Sequence, residues 1–422
     1  MEIVILTLGV AIFLLLLSIP IGVALGLSVL FGLWVGDLKL VIFTQRFFNT
    51  FDSFPLMAVP FFILAGDIMA SGSLSQTLLA WCRSMVGHRR GGLAQISTIT
   101  CLLYGALCGS AVATVAAVGG IMIPAMEEDG YPRDFSCGLN AAAGCLGVMI
   151  PPSIPLILYG AFGSVSVSDL FIAGIVPGLL IAACLMAVSH WIVSKGSYGH
   201  IRGAASAAER WKTFKKALPS LGVPLIILGG IYTGVFSPTE AGVVAVAYAL
   251  LVETVFTRTL TWSKLLTILM RSMLSLGMMF LIIITANGLG SLFLYYKVHI
   301  VLQQFLLSVT HSADVFLLIM LVFYLIIGTF LEAGVAIMLL APILVPICGS
   351  YGINPVHFGI FTLVALSIGF LTPPVGTNLF MTCSIGKIDI LSLSKAVMPF
   401  ILAMLFGVLL IAYVPAISLC LL

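Results

Sequence analysis

The chain has 422 residues, of which 61% are hydrophobic and 8% are charged, and its formal net charge is +3 at pH 7. A soluble globular domain carries about 25% charged residues, so this composition excludes a soluble protein. It also excludes a nucleic-acid partner, because no basic stripe occurs outside the loop at 195–216. Apolar runs of roughly 20 residues recur along the chain, and that length crosses a bilayer as a helix. We therefore predict an all-α polytopic membrane protein.

The predicted membrane spans begin at the N-terminus, where the first apolar run lacks the basic segment of a secretory signal. Residues 1–36 give either two short spans around "SIP" or one tilted helix. Two stretches, 93–126 and 313–347, are too long for one crossing, and we expect each to be a re-entrant hairpin that enters and leaves by one side. The other spans are predicted, in chain order, at 3–17, 22–36, 55–70, 135–163, 168–193, 218–236, 239–257, 272–294, 356–385 and 396–418.

The distribution of basic residues supports the two hairpins. If both are re-entrant, only Lys39, Arg46 and Lys297 fall on one side of the membrane, and the other 15 of the 18 Lys and Arg residues fall on the opposite side. By the positive-inside rule, the basic side is cytoplasmic. Both termini are then predicted to be periplasmic. Counting either hairpin as a single crossing would reverse every later loop and remove this asymmetry.

The two halves of the sequence match weakly at an offset of 222 positions. The matches are mostly Gly and Pro, and three prolines coincide: Pro124 with Pro346, Pro151 with Pro373, and Pro152 with Pro374. Because the hairpins enter from opposite sides, the halves are predicted to be inverted repeats, which are typical of secondary transporters. Chance coincidence in a biased composition is the alternative. The predicted units are a first repeat at 1–193, a basic cytoplasmic linker at 194–217 and a second repeat at 218–422.

Each half also places a double proline inside a long apolar run, as "MIPPSIPLILYG" at 149–160 and "LTPPVGTNLF" at 371–380. A proline in a helix interior costs about 3 kcal/mol or more, so spans 135–163 and 356–385 are predicted to be broken helices. Unpaired backbone at membrane depth requires a cover of protein or water, and its carbonyl groups can bind a cation.

The tips of the two hairpins would form the other wall of such a site. They read "CGSAVAT" at 108–114 and "GTFLEAG" at 328–334. Small residues let backbone oxygens approach an ion closely, and coordination by oxygen alone suits a hard cation such as Na⁺. The alternative is that these small residues only permit tight helix packing.

Several of these motifs together resemble the large membrane (M) subunit of the tripartite ATP-independent periplasmic (TRAP) transporters. They are the "GS" tip before "IMIPAM", "MIPPSIPLILYG", "APILVPI", "NPVHFGI" and "LTPPVGTNLF". The resemblance implies a Na⁺-driven elevator-type transporter, with transport and scaffold domains, in a bacterial or archaeal inner membrane. It implies two partners, a small four-helix membrane (Q) subunit, expected here as a separate chain, and a periplasmic solute-binding (P) protein. The substrates implied are organic acids, including C4-dicarboxylates and sialic acid.

The resemblance also implies site residues, which are carried over position by position. One Na⁺ site would lie between the first tip and the first break, at Gly109, Ser110, Pro151, Pro152 and Ser153. A second would lie at Gly328, Thr329, Thr372, Pro373, Pro374 and Gly376. Substrate would bind near Ser110, Thr114, Thr377 and Asn378, with Ser153 and Glu332 as further candidates. Many family members carry two hydroxyl residues at the first tip, whereas Ala111 follows Ser110 in this chain.

Acidic residues in the apolar spans have both functional and structural interpretations. Glu332 at the second tip could bind Na⁺, repel a wrong anion or accept hydrogen bonds that shape the tip. Asp67 is expected to cap or pair at the end of its span, and Glu240 to complement a helix dipole after Pro238.

Enzymatic functions are disfavoured, because the sequence has no P-loop, catalytic spacing or metal-ligand cluster. ATP is therefore not expected to drive transport through this chain. The runner-up is a stand-alone ion-coupled anion transporter, followed by a channel-like scaffold subunit without ion coupling.

Overall fold

A computed structural model describes residues 2–86, 91–196, 198–199 and 206–422, and all secondary structure in these ranges is helical. The helices, numbered in chain order, are α1 Glu2–Leu16, α2 Ile21–Val35, α3 Leu40–Phe51, α4 Ala58–Ser71, α5 Leu74–Val86, α6 Gly92–Cys108, α7 Ala111–Glu128, α8 Arg133–Met149, α9 Ile154–Gly163, α10 Val167–Gly196, α11 Ala207–Tyr232, α12 Pro238–Phe256, α13 Trp262–Tyr295, α14 Val298–Val309, α15 Ala313–Phe330, α16 Ala333–Ser350, α17 Pro355–Gly369, α18 Thr377–Gly386, α19 Ile390–Tyr413 and α20 Ala416–Leu419.

Nine helices of the described residues are long and apolar enough to cross a membrane, or ten if the bent pair α8–α9 counts as one span. The chain is therefore a multi-pass membrane protein. Residues 1–36 form two helices, α1 and α2, that pack against each other. Of the two predicted alternatives, the structure therefore has two short helices and not one tilted helix. Helices α3, α5 and α14 were not predicted. Two of them, α3 and α5, are amphipathic rather than uniformly apolar.

Both predicted hairpins are present. In hairpin 1, formed by α6 and α7, the outer ends of the arms meet at Asn140, whose amide accepts a hydrogen bond from Ser97 Oγ at 2.7 Å and contacts Met126 Sδ at 3.8 Å. In hairpin 2, formed by α15 and α16, the rings of Phe316 and Tyr351 at the outer ends stack with centroids 4.4 Å apart. The outer ends of the two arms of each hairpin therefore lie together.

Helix ends in the second half follow local sequence signals. Ser237 and Glu240 form a capping box at the start of α12, in which Ser237 N donates to Glu240 Oε2 at 2.8 Å. The prediction that Glu240 lies in a first helical turn after Pro238 is confirmed. Asn354 caps α17 by accepting from Val356 N at 2.8 Å, and a proline at the next position suits the first helical turn.

The two broken helices run in opposite directions. The start of the first lies beside the end of the second, where Arg133 Nε donates to Gly386 O at 2.5 Å. The start of the second lies beside α9, where Tyr159 OH donates to Pro355 O at 2.9 Å. The helices cross at Cys145 and Ser367, which are 222 positions apart and linked by a contact of 3.3 Å from Sγ to the carbonyl oxygen. This antiparallel crossing of equivalent residues confirms the inverted repeat.

The remaining helices pack around this core in pairs that also repeat. Helix α4 of the first repeat packs along α12 of the second, and the repeat relates this pair to α13 of the second packed along α2 of the first. Asp67 on α4 accepts a hydrogen bond from Ser272 Oγ on α13 at 2.6 Å, so the expected pairing of Asp67 is confirmed. The predicted linker 194–217 is helical at its two ends, in α10 and α11, and residues 197 and 200–205 lie outside the described residues.

Candidate functional site

The first tip and the first break meet backbone to backbone. Gly109 has a left-handed φ of +61°, and a Cβ there would lie 2.8 Å from Pro152 O. A Cβ on Gly147 would lie 2.6 Å from Ser110 O, and one on Gly105 would lie 2.7 Å from the Cα of Gly147. Only glycine allows these approaches. The structure thus brings the predicted Gly109 and Ser110 against the predicted break, with two carbonyl oxygens at the contact.

Three predicted hydroxyl groups lie at this contact and are oriented by local hydrogen bonds. Thr114 Oγ1 donates to Ser110 O at 2.7 Å, and Ser153 Oγ donates to Val148 O across the break at 2.5 Å. Ser110 Oγ caps α7 by accepting from Ala113 N at 3.4 Å. The Thr114 and Ser153 side chains are fully buried. Because their protons are donated to backbone, the oxygen lone pairs of these two hydroxyl groups remain available to a cation.

The second tip makes the equivalent crossing with its own broken helix. A Cβ on Gly328 would lie 2.5 Å from Leu366 O, and one on Gly369 would lie 2.5 Å from the Cα of Gly328. Thr329 Oγ1 donates to Ile326 O at 2.8 Å within its own helix. The tip therefore touches the end of α17, three residues before Thr372.

Carbonyl groups converge within the second break itself. The position that a Cβ on Gly376 would occupy lies 2.9 Å from Phe370 O and 3.1 Å from Thr372 O. Thr372 Oγ1 bonds Ile368 O at 3.3 Å. Among the hydrogen bonds of the described residues, none joins Thr329 or Glu332 to this break.

The two breaks differ in exposure. Pro151 and Pro152 are buried, whereas Pro373 and Pro374 are exposed. Both double-proline peptide bonds are cis. The equivalent segments of the two halves thus have different surroundings in this conformation, with the second break open to the outside of the protein.

Asn378 joins the two halves at the centre of the molecule. Its side chain is fully buried, and Nδ2 donates to Ala141 O at 3.1 Å and contacts Cys145 Sγ at 3.4 Å. Its Oδ1, and the hydroxyl oxygens of Thr377 and Thr382, are buried without a hydrogen-bond partner among the described residues. Helix α18 packs on hairpin 1 next to Thr114, so four predicted substrate residues, Ser110, Thr114, Thr377 and Asn378, belong to adjoining elements.

Glu332 lies apart from that group. It is the N-cap residue of α16, it makes no capping hydrogen bond through its side chain, and it is exposed. A carboxylate at this place complements the partial positive charge of the helix N-terminus. The structure therefore gives Glu332 a local electrostatic role and leaves a direct role as a prediction.

Two features were missed from the sequence. Hairpin 1 contains a π-helical turn at Val115–Gly119, immediately after Thr114, and such turns are frequent at functional sites. The turn packs against α6, α8 and α18. No composition signal marks it in the sequence.

The second missed feature is Glu253, a fully buried carboxylate on α12. It accepts hydrogen bonds from Ser73 N at 2.8 Å and Leu74 N at 3.1 Å, so it caps α5 of the other half. Thr257 donates to it at 2.8 Å, and Thr259 donates as well. The sequence signal that could have indicated this role is a single acidic residue in an apolar span, followed by Thr257 and Thr259.

The comparisons with known proteins agree with one another. A family described as "Tripartite ATP-independent periplasmic transporter, DctM component" matches residues 8–417. The isethionate TRAP transporter permease protein DctMQ of Oleidesulfovibrio alaskensis is 42% identical over 409 residues, which cover 96% of this chain and 64% of that protein. The C4-dicarboxylate TRAP transporter large permease protein DctM of Rhodobacter capsulatus is 35% identical over 98% of this chain and 97% of its own length.

A solved structure shares the fold. The YdaH transporter of Alcanivorax borkumensis, described as having an unusual topology, superposes with a TM-score of 0.64 over 96% of this chain and 97% of that one. The sequences are 18% identical, so this likeness concerns the fold alone.

Proposed function

The chain belongs to the DctM family of TRAP transporter large permease subunits, and on that premise we propose that it imports an organic acid by coupling to Na⁺. The family membership confirms the resemblance drawn from the double-proline and tip motifs. The relatives are named as transporter permeases, which supports a transporter subunit rather than an enzyme. Sodium coupling, the elevator mechanism and the dependence on a binding protein are the proposal.

The contact between the first tip and the first break supports a sodium site. The carbonyl oxygens of Ser110 and Pro152 and the hydroxyl oxygens of Thr114 and Ser153 lie there within a buried region. No group of three or more His, Cys, Asp or Glu side chains that could hold a metal occurs in the described part of the chain. A cation at mid-membrane would therefore be held by uncharged oxygens, as suits Na⁺. We propose a second such site at Thr372 and Gly376.

Helix N-termini support an anionic substrate. Helices α7, α9 and α18 begin at the first tip or at a break, and a helix N-terminus carries partial positive charge that favours an anion. None of the buried side chains in the described ranges is a Lys or Arg, so the substrate charge would meet backbone amides and bound Na⁺. The relatives' names include isethionate and C4-dicarboxylate, and both are small organic anions. We propose that this chain also carries a small organic acid.

An elevator mechanism is supported by how the site is built. The hairpins and broken helices form one packed core, and helices such as α2, α4, α12 and α13 form pairs of their own. Substrate and Na⁺ would move with that core. Sodium can drive uptake only if it binds more tightly to the substrate-competent arrangement, because coupling requires differential affinity.

The partners proposed are a small Q subunit, a periplasmic binding protein and the inner membrane of the cell. The relative named DctMQ is longer than this chain, which spans 64% of it. A small membrane subunit is proposed because the family is described as tripartite. Both termini are proposed to be periplasmic, on the charge asymmetry of the loops.

Reconstitution tests the proposal. The chain and a co-purified small subunit are placed in proteoliposomes, and uptake of labelled succinate, sialic acid and isethionate is measured with and without an inward Na⁺ gradient. We expect uptake of one acid that requires both the gradient and its binding protein. Uptake of an acid without any Na⁺ gradient would refute sodium coupling.

The same assay decides the second candidate, a stand-alone ion-coupled anion transporter. Uptake that needs Na⁺ and proceeds at full rate without any binding protein would favour it. The family match argues against it, because the family is described as tripartite.

A further inference from the structure

Three lysines form a basic face on α11, near its start. Lys212, Lys215 and Lys216 are all exposed, and their spacing of three and four residues places them on one side of the helix. Like charges at this spacing repel each other and lower helix stability. A bound anion would remove that penalty.

No carboxylate neutralises the basic face. The ion pair present in the described ranges is Arg133 with Glu127, far along the chain, and the residues outside those ranges contain no Asp or Glu. Glu209, the one acid near the lysines in sequence, is exposed three residues before Lys212, and the ion pair of the described residues does not include it. At this spacing its carboxylate can offset at most one of the three lysine charges. The basic face therefore keeps a net positive charge within the protein.

Aromatic rings lie beside the lysines. Trp211 and Phe214 stack with centroids 5.6 Å apart, and Trp81 of α5 lies 5.6 Å from Phe214. Lys215 Nζ is 5.4 Å from the centre of the Trp211 ring. Trp211 is 58% exposed, and exposed tryptophan is characteristic of the interface between hydrocarbon and headgroups.

The depth of the basic face in the membrane follows from the next turn of α11. Leu218 is 51% exposed and Leu225 is 69% exposed, so the outer side of the helix turns apolar directly after Lys216. Two residues of helix rise about 3 Å. If acyl chains cover these exposed leucines, the lysines lie at the level of the lipid headgroups.

We propose that the basic face, with Trp211, binds the phosphate headgroup of an anionic phospholipid of the phosphatidylglycerol class. The lysines contact the phosphate, the ring rests against the glycerol region, and Leu218 contacts the acyl chain. The interaction is separate from the transport site, and it anchors α11 and the α5 helix packed on it at the membrane surface.

Lipid selectivity of the intact chain tests the proposal. Tryptophan fluorescence is recorded in nanodiscs whose lipid includes brominated phosphatidylglycerol or brominated phosphatidylcholine, in a background with Trp34, Trp191 and Trp262 replaced by Phe. Trp81 and Trp211 then report on the basic face. We expect stronger quenching by the brominated phosphatidylglycerol than by the brominated phosphatidylcholine.

A matched pair of variants separates the basic face from net charge. K212Q/K215Q/K216Q is expected to weaken phosphatidylglycerol binding by about 100-fold, since each basic residue near a charged surface contributes about a factor of five. K39Q/K264Q/K297Q removes the same charge elsewhere and is expected to keep the preference. Equal quenching by the two lipids, retention of the preference in the first variant, or loss of it in the second would overturn the proposal. Displacement of the lipid by millimolar inorganic phosphate would also overturn it, in favour of a free-phosphate site.

Discussion

Replacing Gly109 by Ala tests whether the contact between the first tip and the first break matters for Na⁺. Gly109 has a φ of +61°, and its Cβ would lie 2.8 Å from the Pro152 carbonyl oxygen. The oxygen that the new Cβ would meet belongs to the backbone of Pro152, so no flexible side chain can move aside. The tip, the break or both must shift.

The magnitude follows from two costs. A left-handed conformation costs a non-glycine residue about 1–2 kcal/mol, and crowding in a packed interior costs about 1–3 kcal/mol. The closed tip should therefore lose about 2–5 kcal/mol relative to one that has moved away. If only 1.4 kcal/mol of this loss falls on the Na⁺-bound form, the Na⁺ concentration for half-maximal uptake rises about tenfold.

The assay compares Gly109→Ala with Gly120→Ala in the same hairpin. A Cβ on Gly120 has nothing within 4 Å, and alanine in a helix is favoured over glycine by about 0.5–1 kcal/mol. Na⁺-dependent uptake and Na⁺-dependent thermal stability are measured for both. If Gly109→Ala folds and keeps the Na⁺ dependence of the control, the tip is not part of a sodium site and the reasoning is wrong.

Three other substitutions separate structural from transport roles. Glu253→Gln should lower stability by about 2–4 kcal/mol, because its amide hydrogens would oppose the donors that now bond the carboxylate. The control Glu240→Gln, at an exposed carboxylate, should lower the melting temperature less, and equal melting temperatures would contradict the structural role of Glu253. Asn378→Ala should abolish uptake and lower stability by about 1–3 kcal/mol, since a buried carbonyl loses its donor, and normal transport would exclude Asn378 from the site. Glu332→Gln should change stability by less than about 1 kcal/mol, so an uptake loss at normal expression would show that its charge acts in transport.

The sequence predicts the architecture well where a local signal dictates backbone geometry. The double prolines at 151–152 and 373–374 forbid a continuous helix, and both helices are broken there. The length of the runs at 93–126 and 313–347, combined with the charge asymmetry, predicts the hairpins. In each of these cases one local rule decides the outcome.

Features that depend on packing between distant segments were not predictable. The π turn at Val115–Gly119 packs against α18, which lies over 250 residues later. The clasp by Glu253 joins residues about 180 positions apart. Amphipathic α5 was missed because its polar face lowers the hydropathy on which span prediction rests.

The arrangement at the tips and breaks was only partly predictable. The first tip meets the first break, as expected, whereas the second tip contacts the end of α17 before its break. The burial of the first double proline and the exposure of the second have no counterpart in the sequence, since both motifs contain the same two residues.

The interlocking of the two repeats has a consequence for biogenesis. Helix α18 covers hairpin 1, and α9 covers hairpin 2, so neither repeat contains all of the neighbours that it needs. The ribosome makes about 5–20 residues per second, and it therefore completes α9 roughly 10–40 s before α18 exists. Throughout that delay the first repeat lacks the helix that covers hairpin 1. A chain whose synthesis stops before α18 would leave this surface uncovered and would be a substrate for membrane proteases.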